Sequence, residues 1–389
     1  MAISKHSAQR VRGYGVSVFA EMSALALEFK AINLGQGFPD FEGPEEIKEA
    51  AREAITVRHN QYAVSRGEPM LREAIAEHSA RFYGQQVDPN TEITVTSGAA
   101  EGIMCALFAV VDPGDEVIVF EPFYDSYVPN IQMAGGTAVP ITLRAPNFRF
   151  DPDELRAAFS PRTKALVLNT PHNPTGTVFS EEELTLIAEL CQEWDVIVIS
   201  DEVYEHIVYE GATHQRLATF PGMWERTLTL SSGGKTFSFT GWKIGWAIGP
   251  EPLQKALRTF HQYNVFSTPT PLQYAIATGL RFPDSYFQKL AADYQARRDF
   301  IMDALIECGL LPTQPMGSYF VLADISNYPH KDSLDFCRYL VKEVGVAAIP
   351  PDTFYINKEH GKKLVRFCYC KRWDTLEAAV ERLAKWRVG

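Results

Sequence analysis

No apolar run in this 389-residue chain approaches the roughly 20 residues needed to cross a bilayer. Met1-Ala-Ile-Ser-Lys-His6 also opens without an apolar leader, so a cytoplasmic protein off the membrane is expected. Basic charge is in deficit, with 37 Lys and Arg against 48 Asp and Glu and a net charge of -11. No block of one sign forms a tail, and nucleic acid is not an expected partner. Cysteine is sparse: the six residues at 105, 191, 308, 337, 368 and 370 have neither zinc-ligand spacing nor the density of a disulfide scaffold, which leaves reduced core residues. Internal repeats and low-complexity segments are absent.

What is present suits an ordinary globular protein, since 46% hydrophobic residues can fill one large core and a smaller second one. Residues 1–12 are polar and irregular and read as an arm. Ala31 to Asp40 combines a short apolar strand with Gly35, Gly37 and Pro39, either a plain turn or a loop whose backbone lies against a ligand. Pro44 to Ala54 and Glu68 to Phe82 have helical spacing, the first with proline in its opening turn. From Glu92 onward strands and helices alternate. Strands are expected at 92–95, 116–120, 165–168, 196–200 and 227–230, and helices at 101–111, 153–159 and from the Ser180-x-x-Glu183 capping box through Cys191. Beyond Pro250 come helices, including Asp284 to Cys308, then short strands at 319–324, 346–349 and 363–369. The expected fold class is α/β, a mostly parallel central sheet flanked by helices, with a smaller α+β domain. The expected division is residues 13–44 and 281–389 in the small domain and 45–280 in the large one.

The candidate site residues sit where such a sheet binds ligands, just past the C-terminal ends of its strands. Lys235 follows the strand and the Ser231-Ser-Gly-Gly234 run, as a buried nucleophilic amine or as a surface loop lysine. Ser97-Gly-Ala-Ala100 reads as a tight turn aiming backbone N–H groups at a phosphate, or as a serine cap. Glu121-Pro-Phe-Tyr-Asp-Ser-Tyr127 brings aromatics that either stack on a planar ring or belong to the core. Asn173 and Pro174 shape a turn or a site, and Asp201 either caps a following helix or faces a ligand. Tyr62 in its polar loop is a packing residue unless other evidence recruits it. Arg366, alone in an apolar strand, marks an exposed edge or a carboxylate clamp.

Taken together these motifs carry a resemblance. Asn33-Leu-Gly-Gln-Gly-Phe-Pro-Asp-Phe41, Asn60-Gln-Tyr62, Glu121 to Tyr127, Asn173-Pro-Thr-Gly176, Asp201-Glu-Val-Tyr204 and Ser231-Ser-Gly-Gly-Lys-Thr236 occur in the order and spacing of the fold-type I, class I/II aminotransferases, which use pyridoxal phosphate (PLP). The chain resembles most closely the subgroup of kynurenine/glutamine and methionine aminotransferases. The resemblance implies that Lys235 joins PLP as a Schiff base and later moves the Cα proton. It implies that Asp201 pairs with the pyridine nitrogen, that Tyr204 and Asn173 bond the phenolic oxygen, and that Tyr124 and Val203 cover the two ring faces. The phosphate would meet Ala99 and Ala100 N–H, Ser232, Lys243 and, from a second subunit, Tyr62, which makes the protein a homodimer. Arg366, helped by Gly35 and Asn173, would hold the substrate carboxylate. Two departures stand out: Ala99-Ala100-Glu101 in the phosphate turn, and lysine at 243 where other branches carry arginine.

The reaction implied is a two-step transfer of an amino group from an L-amino acid to a 2-oxo acid. Methionine, glutamine, aromatic residues and kynurenine are the candidate donors. A cysteine-conjugate or cystathionine β-lyase and an aspartate aminotransferase are alternatives, and a PLP-binding sensor without turnover is a remote one. Phe38, Tyr14, Tyr124 and Phe123 are the aromatics expected to shape the donor pocket.

Overall fold

A computed structural model describes residues 6–15 and 17–387, with Arg387 described by its backbone alone. Residues 1–5 of the expected arm and the last two residues of the expected small domain lie outside the described residues. Within the remainder of the arm, Gln9–Val11 forms a single 3-10 turn.

Seven strands form the central sheet: β1 (Ile93–Thr96), β2 (Glu116–Glu121), β3 (Thr137–Thr142), β4 (Thr163–Asn169), β5 (Ile197–Asp201), β6 (Thr227–Ser232) and β7 (Gly245–Ile248). Their spatial order is β1-β7-β6-β5-β4-β2-β3. Every neighbouring pair is parallel except those made by β7, which runs antiparallel to both β1 and β6. Strands β1, β6 and β7 are buried at every position, as expected when helices cover both faces of a sheet. The residues of β3 and β7 are strands that the sequence pattern did not announce. The helix Gly98–Val110 begins three residues earlier than expected, so Ala99 and Ala100 lie in its first turn rather than in a separate loop. Ser97 occupies the cap position but its hydroxyl makes no capping bond; its N–H donates to the Glu101 carboxylate instead, at 3.0 Å. The capping box at Ser180 and Glu183 is present and starts the helix Glu181–Glu193.

The second unit is α+β. Strand β8 (Phe320–Asp324) lies between Leu311–Pro312 and β9 (Leu364–Cys368), all antiparallel. The long helix Asp284–Glu307 packs beside them, and Ile32–Asn33 pairs in parallel with Val346–Ala347. One buried cluster joins Met22, Ala26 and Leu34 from the early chain to Tyr294, Ile301, Leu305, Val321 and Leu376 from the late chain. Early and late segments therefore share a core, which brings Gly35 beside β9. All six cysteines are buried. No helix among the described residues is long and apolar enough to cross a membrane.

Candidate active site

The C-terminal ends of β4, β5 and β6 open onto a cavity of about 290 Å³. Ala99, Ala100, Tyr124, Asn173, Asp201, Val203, Tyr204, Ser232, Lys235, Lys243 and Arg366 line it. Gly35 stands immediately behind Arg366, whereas Tyr62 lies outside the cavity of its own chain, 84% exposed and edge-on to Phe266.

Lys235 sits in the single turn Gly233–Thr236 that follows β6. Its Nζ donates to the Tyr319 hydroxyl at 2.9 Å, and that hydroxyl donates to the Gly37 carbonyl at 2.7 Å. Gly37 is needed there, because a Cβ would lie 2.6 Å from the Phe320 ring. Burial lowers the Lys235 pKa to about 8, with Lys243 and Arg366 adding to the fall and Asp201 opposing it. At pH 7 that leaves about a tenth of the amine uncharged and nucleophilic, far more than for a lysine in water.

Asp201 ends β5 with 4% exposure. No helix follows it, so the capping alternative fails; the carboxylate instead accepts from the Tyr127 hydroxyl at 2.6 Å and the Val203 N–H at 3.3 Å. Burial raises its pKa to about 6 against the pull of those bonds and of Lys235. Asn169, the last residue of β4, fixes the local backbone by donating from Nδ2 to the Asp201 carbonyl at 2.9 Å and accepting from the Asn173 N–H at 2.7 Å. Tyr204 is buried, which with the Asp201 charge raises its pKa well above 10.

Arg366 lies on an edge strand, as its position could suggest, yet it is 2% exposed. Backbone bonds to Ile349 cover the free edge, and the guanidinium lies 4.3 Å from the Phe320 ring centre. Nη1 donates to Asn173 Oδ1 at 3.2 Å and Nη2 to the Gly35 carbonyl at 2.9 Å. Nε is buried without any partner. A buried guanidinium that keeps an unused donor beside a cavity suits a planar carboxylate.

Phosphate chemistry fits the opposite end. The helix Gly98–Val110 points its free N–H groups at the cavity. Gly98 has φ +74°, and a Cβ there would meet Lys243 Nζ at 3.0 Å, so the glycine keeps the ammonium close to the helix start. The residues present therefore fit PLP: a cationic anion cradle, a deprotonatable lysine, a buried carboxylate and an arginine with a spare donor.

Tyr127, Asn169, Tyr319 and Asp125, together with the wall residues Phe19 and Phe320, are among the residues that sequence reasoning did not place in the site. Tyr127 stood within the aromatic cluster, and Asn169 carried a signal of the same kind as Asp201, a polar residue closing an apolar strand. Of the aromatics expected to shape the donor pocket, Phe38 and Tyr124 line the cavity. Phe123 is buried core, and the Tyr14 hydroxyl bonds Gln132 instead.

Comparison with known proteins agrees with this geometry. The family model for aminotransferase class I and II matches residues 30–383. A probable N-succinyldiaminopimelate aminotransferase from Mycobacterium tuberculosis is 46% identical, the match covering 96% of this chain and 97% of the relative. Human kynurenine–oxoglutarate transaminase 1 is 42% identical, with 98% of each chain covered. The solved structure of YbdL from Escherichia coli, described as having a methionine aminotransferase function, superposes with a TM-score of 0.94 at 41% identity, covering 97% of this chain and 99% of that one.

Proposed function

Because the chain belongs to the class I and II aminotransferases and is a PLP-dependent enzyme, we propose that its donor is an L-amino acid with an uncharged side chain, handled by a homodimer. The observation that carries this reading is the placement of three cations around one cavity. Lys243 lies at the helix start, Lys235 is held by Tyr319, and Arg366 is braced by Asn173 and Gly35. Each has its own task, which leaves no further lining cation among the described residues for a second carboxylate. Methionine, glutamine, aromatic amino acids and kynurenine fit that limit, and kynurenine and methionine stand in the relatives' names; N-succinyldiaminopimelate, named for the Mycobacterium relative, carries side-chain carboxylates and falls outside it.

When bound, PLP supplies an aldehyde that condenses with amines and a ring that draws electrons from the substrate Cα. Lys243, Ser232 and the N–H groups of Ala99 and Ala100 would hold its phosphate. Asp201 would accept from the ring N–H, and the arriving positive charge would offset the desolvation that raises its pKa. Asn173 gives its Oδ1 to Arg366, which turns its Nδ2 donor elsewhere, toward the phenolic oxygen in this reading, together with the Tyr204 hydroxyl. Tyr124 and Val203 would cover the ring faces and exclude water. Arg366 would take the α-carboxylate bidentately and so orient the Cα–H bond. Lys235 Nζ, once free, would take the proton from Cα and return it two bonds away, to the carbon on the far side of the nitrogen.

The large unit, residues 45–280, would carry the cofactor and the small unit, 13–44 with 281–389, the carboxylate clamp, so that substrate bridges the two. Dimerisation is supported by Tyr62 and Tyr263, each 84% exposed near the half-exposed Phe266, an aromatic surface that a second copy would cover. A cytoplasmic setting is supported by the free thiols of Cys105, Cys191, Cys337, Cys368 and Cys370.

The test is the visible spectrum of the PLP-loaded protein mixed with single L-amino acids and no oxo acid. Bleaching of the yellow colour by methionine, glutamine or kynurenine, at rates above that for aspartate, is expected. Colour that persists while ammonia and pyruvate are released from a cysteine conjugate would point to a β-lyase and overturn the proposal.

A further inference from the structure

One ionisable group in the cavity wall has no task in the scheme above. Asp125 follows Tyr124 past the end of β2, is partly exposed and lines the cavity. Among the described residues it makes no hydrogen bond and no ion pair, whereas Asp201, Lys235 and Arg366 each make at least one. Phe19, Phe38, Tyr124 and Phe320 supply apolar wall to the same cavity. An unpaired carboxylate in such a setting is costly, because it gives up water without gaining a partner. Burial raises the Asp125 pKa, and the nearby Arg366 guanidinium opposes that rise. The two residues are thus in electrostatic reach of each other without being paired. With the α-carboxylate on Arg366, a side chain of a few bonds can extend to Asp125.

We propose that Asp125 is a specificity-determining residue: its carboxylate accepts a hydrogen bond from an N–H at the far end of the donor's side chain and repels a second carboxylate there. The proposal rests on the aminotransferase reading and deepens it by naming what the side-chain end of the pocket selects. Discrimination of this kind comes as much from the penalty on the wrong ligand as from the bond to the right one. A hydrogen-bonding group that the ligand leaves unmet stays desolvated, and a carboxylate opposite it adds like-charge repulsion.

The experiment uses three acids without an α-amino group, which bind but cannot react: glutaramate, glutarate and 4-(methylthio)butanoate. They differ at the far end, carrying an amide, a carboxylate or a thioether. Their dissociation constants are measured by calorimetry on the PLP-loaded wild type and on Asp125→Asn, which keeps the shape and removes the charge. In the wild type glutaramate is expected to bind about tenfold more tightly than glutarate at low salt. In Asp125→Asn that ratio should shrink to about threefold or less through tighter glutarate binding, with the thioether acid little changed. The kcat/KM ratio for glutamine over glutamate should move the same way. A glutaramate-to-glutarate ratio unaffected by the substitution would overturn the proposal. So would a common weakening of all three acids, which would make Asp125 a structural residue. If no amino acid were converted by the wild type, the aminotransferase reading would fail, while the binding ratios would still report on Asp125.

Discussion

Replacing Asp201 with asparagine should have opposite effects on the cofactor-free and cofactor-loaded protein. The carboxylate is 4% exposed, and burial moves its pKa from 3.8 to about 6. At about 1.4 kcal/mol per pKa unit, that rise corresponds to about 3 kcal/mol of lost stability once the group is ionised. The folded chain holds the proton to higher pH than the unfolded chain does, so this loss accumulates between about pH 4 and pH 6 and is complete above that window. Asparagine keeps the shape and can still accept from Tyr127 and Val203, but it never ionises. Cofactor-free Asp201→Asn should therefore unfold a few degrees higher than wild type at pH 7 and at about the same temperature at pH 4. The loaded variant should show the reverse, with weaker PLP retention and turnover lower by at least a hundredfold, because the ring nitrogen loses its anionic partner. Thermal melts at the two pH values, with and without PLP, make the measurement. A cofactor-free variant no more stable than wild type at pH 7, or a loaded variant with unchanged turnover, would refute the reasoning.

Three further perturbations probe the rest of the site. Arg366→Lys exchanges a planar fork for a point charge, and steady-state kinetics should show KM for the donor rising at least thirtyfold, about 2 kcal/mol, with PLP content unchanged. Gly98→Ala forces a side chain into φ +74° and within 3.0 Å of Lys243 Nζ, so the PLP dissociation constant, read by fluorescence titration, should rise about tenfold. Glu101→Ala strands the Ser97 N–H and the His261 ring, whose other nitrogen meets the Ser65 carbonyl at 2.9 Å. Denaturant titration should show a loss of about 2–4 kcal/mol, together with weaker PLP binding because the phosphate turn loses its anchor.

How much of this was legible beforehand follows from the range of each interaction. The capping box at Ser180 depends on residues three apart, and the continuous apolar strands depend on their own composition, so both could be read directly. Most of the cofactor-facing residues lining the cavity came from strand ends and from the family resemblance. Tyr127 and Tyr319 did not, because each acts on a partner far along the chain, 74 residues away at Asp201 and 84 away at Lys235. Arg366 was ambiguous for a related reason: its strand is at an edge, but Ile349 closes that edge from another segment. Strand β7 is short, opens with glycine and runs against its neighbours, so β-α alternation could not announce it. At Ser97 both alternatives were open, and the capping one fails, since the hydroxyl makes no cap bond while the residue's own N–H donates to Glu101.

The most direct test of the central claim is the site of attachment. PLP-loaded protein is reduced with borohydride, digested and mapped by mass spectrometry, which identifies the lysine that carries the pyridoxyl group. Attachment at Lys235, with none in Lys235→Ala, is the predicted result. A label on Lys243 or on another lysine, or full labelling in the Lys235→Ala variant, would contradict it.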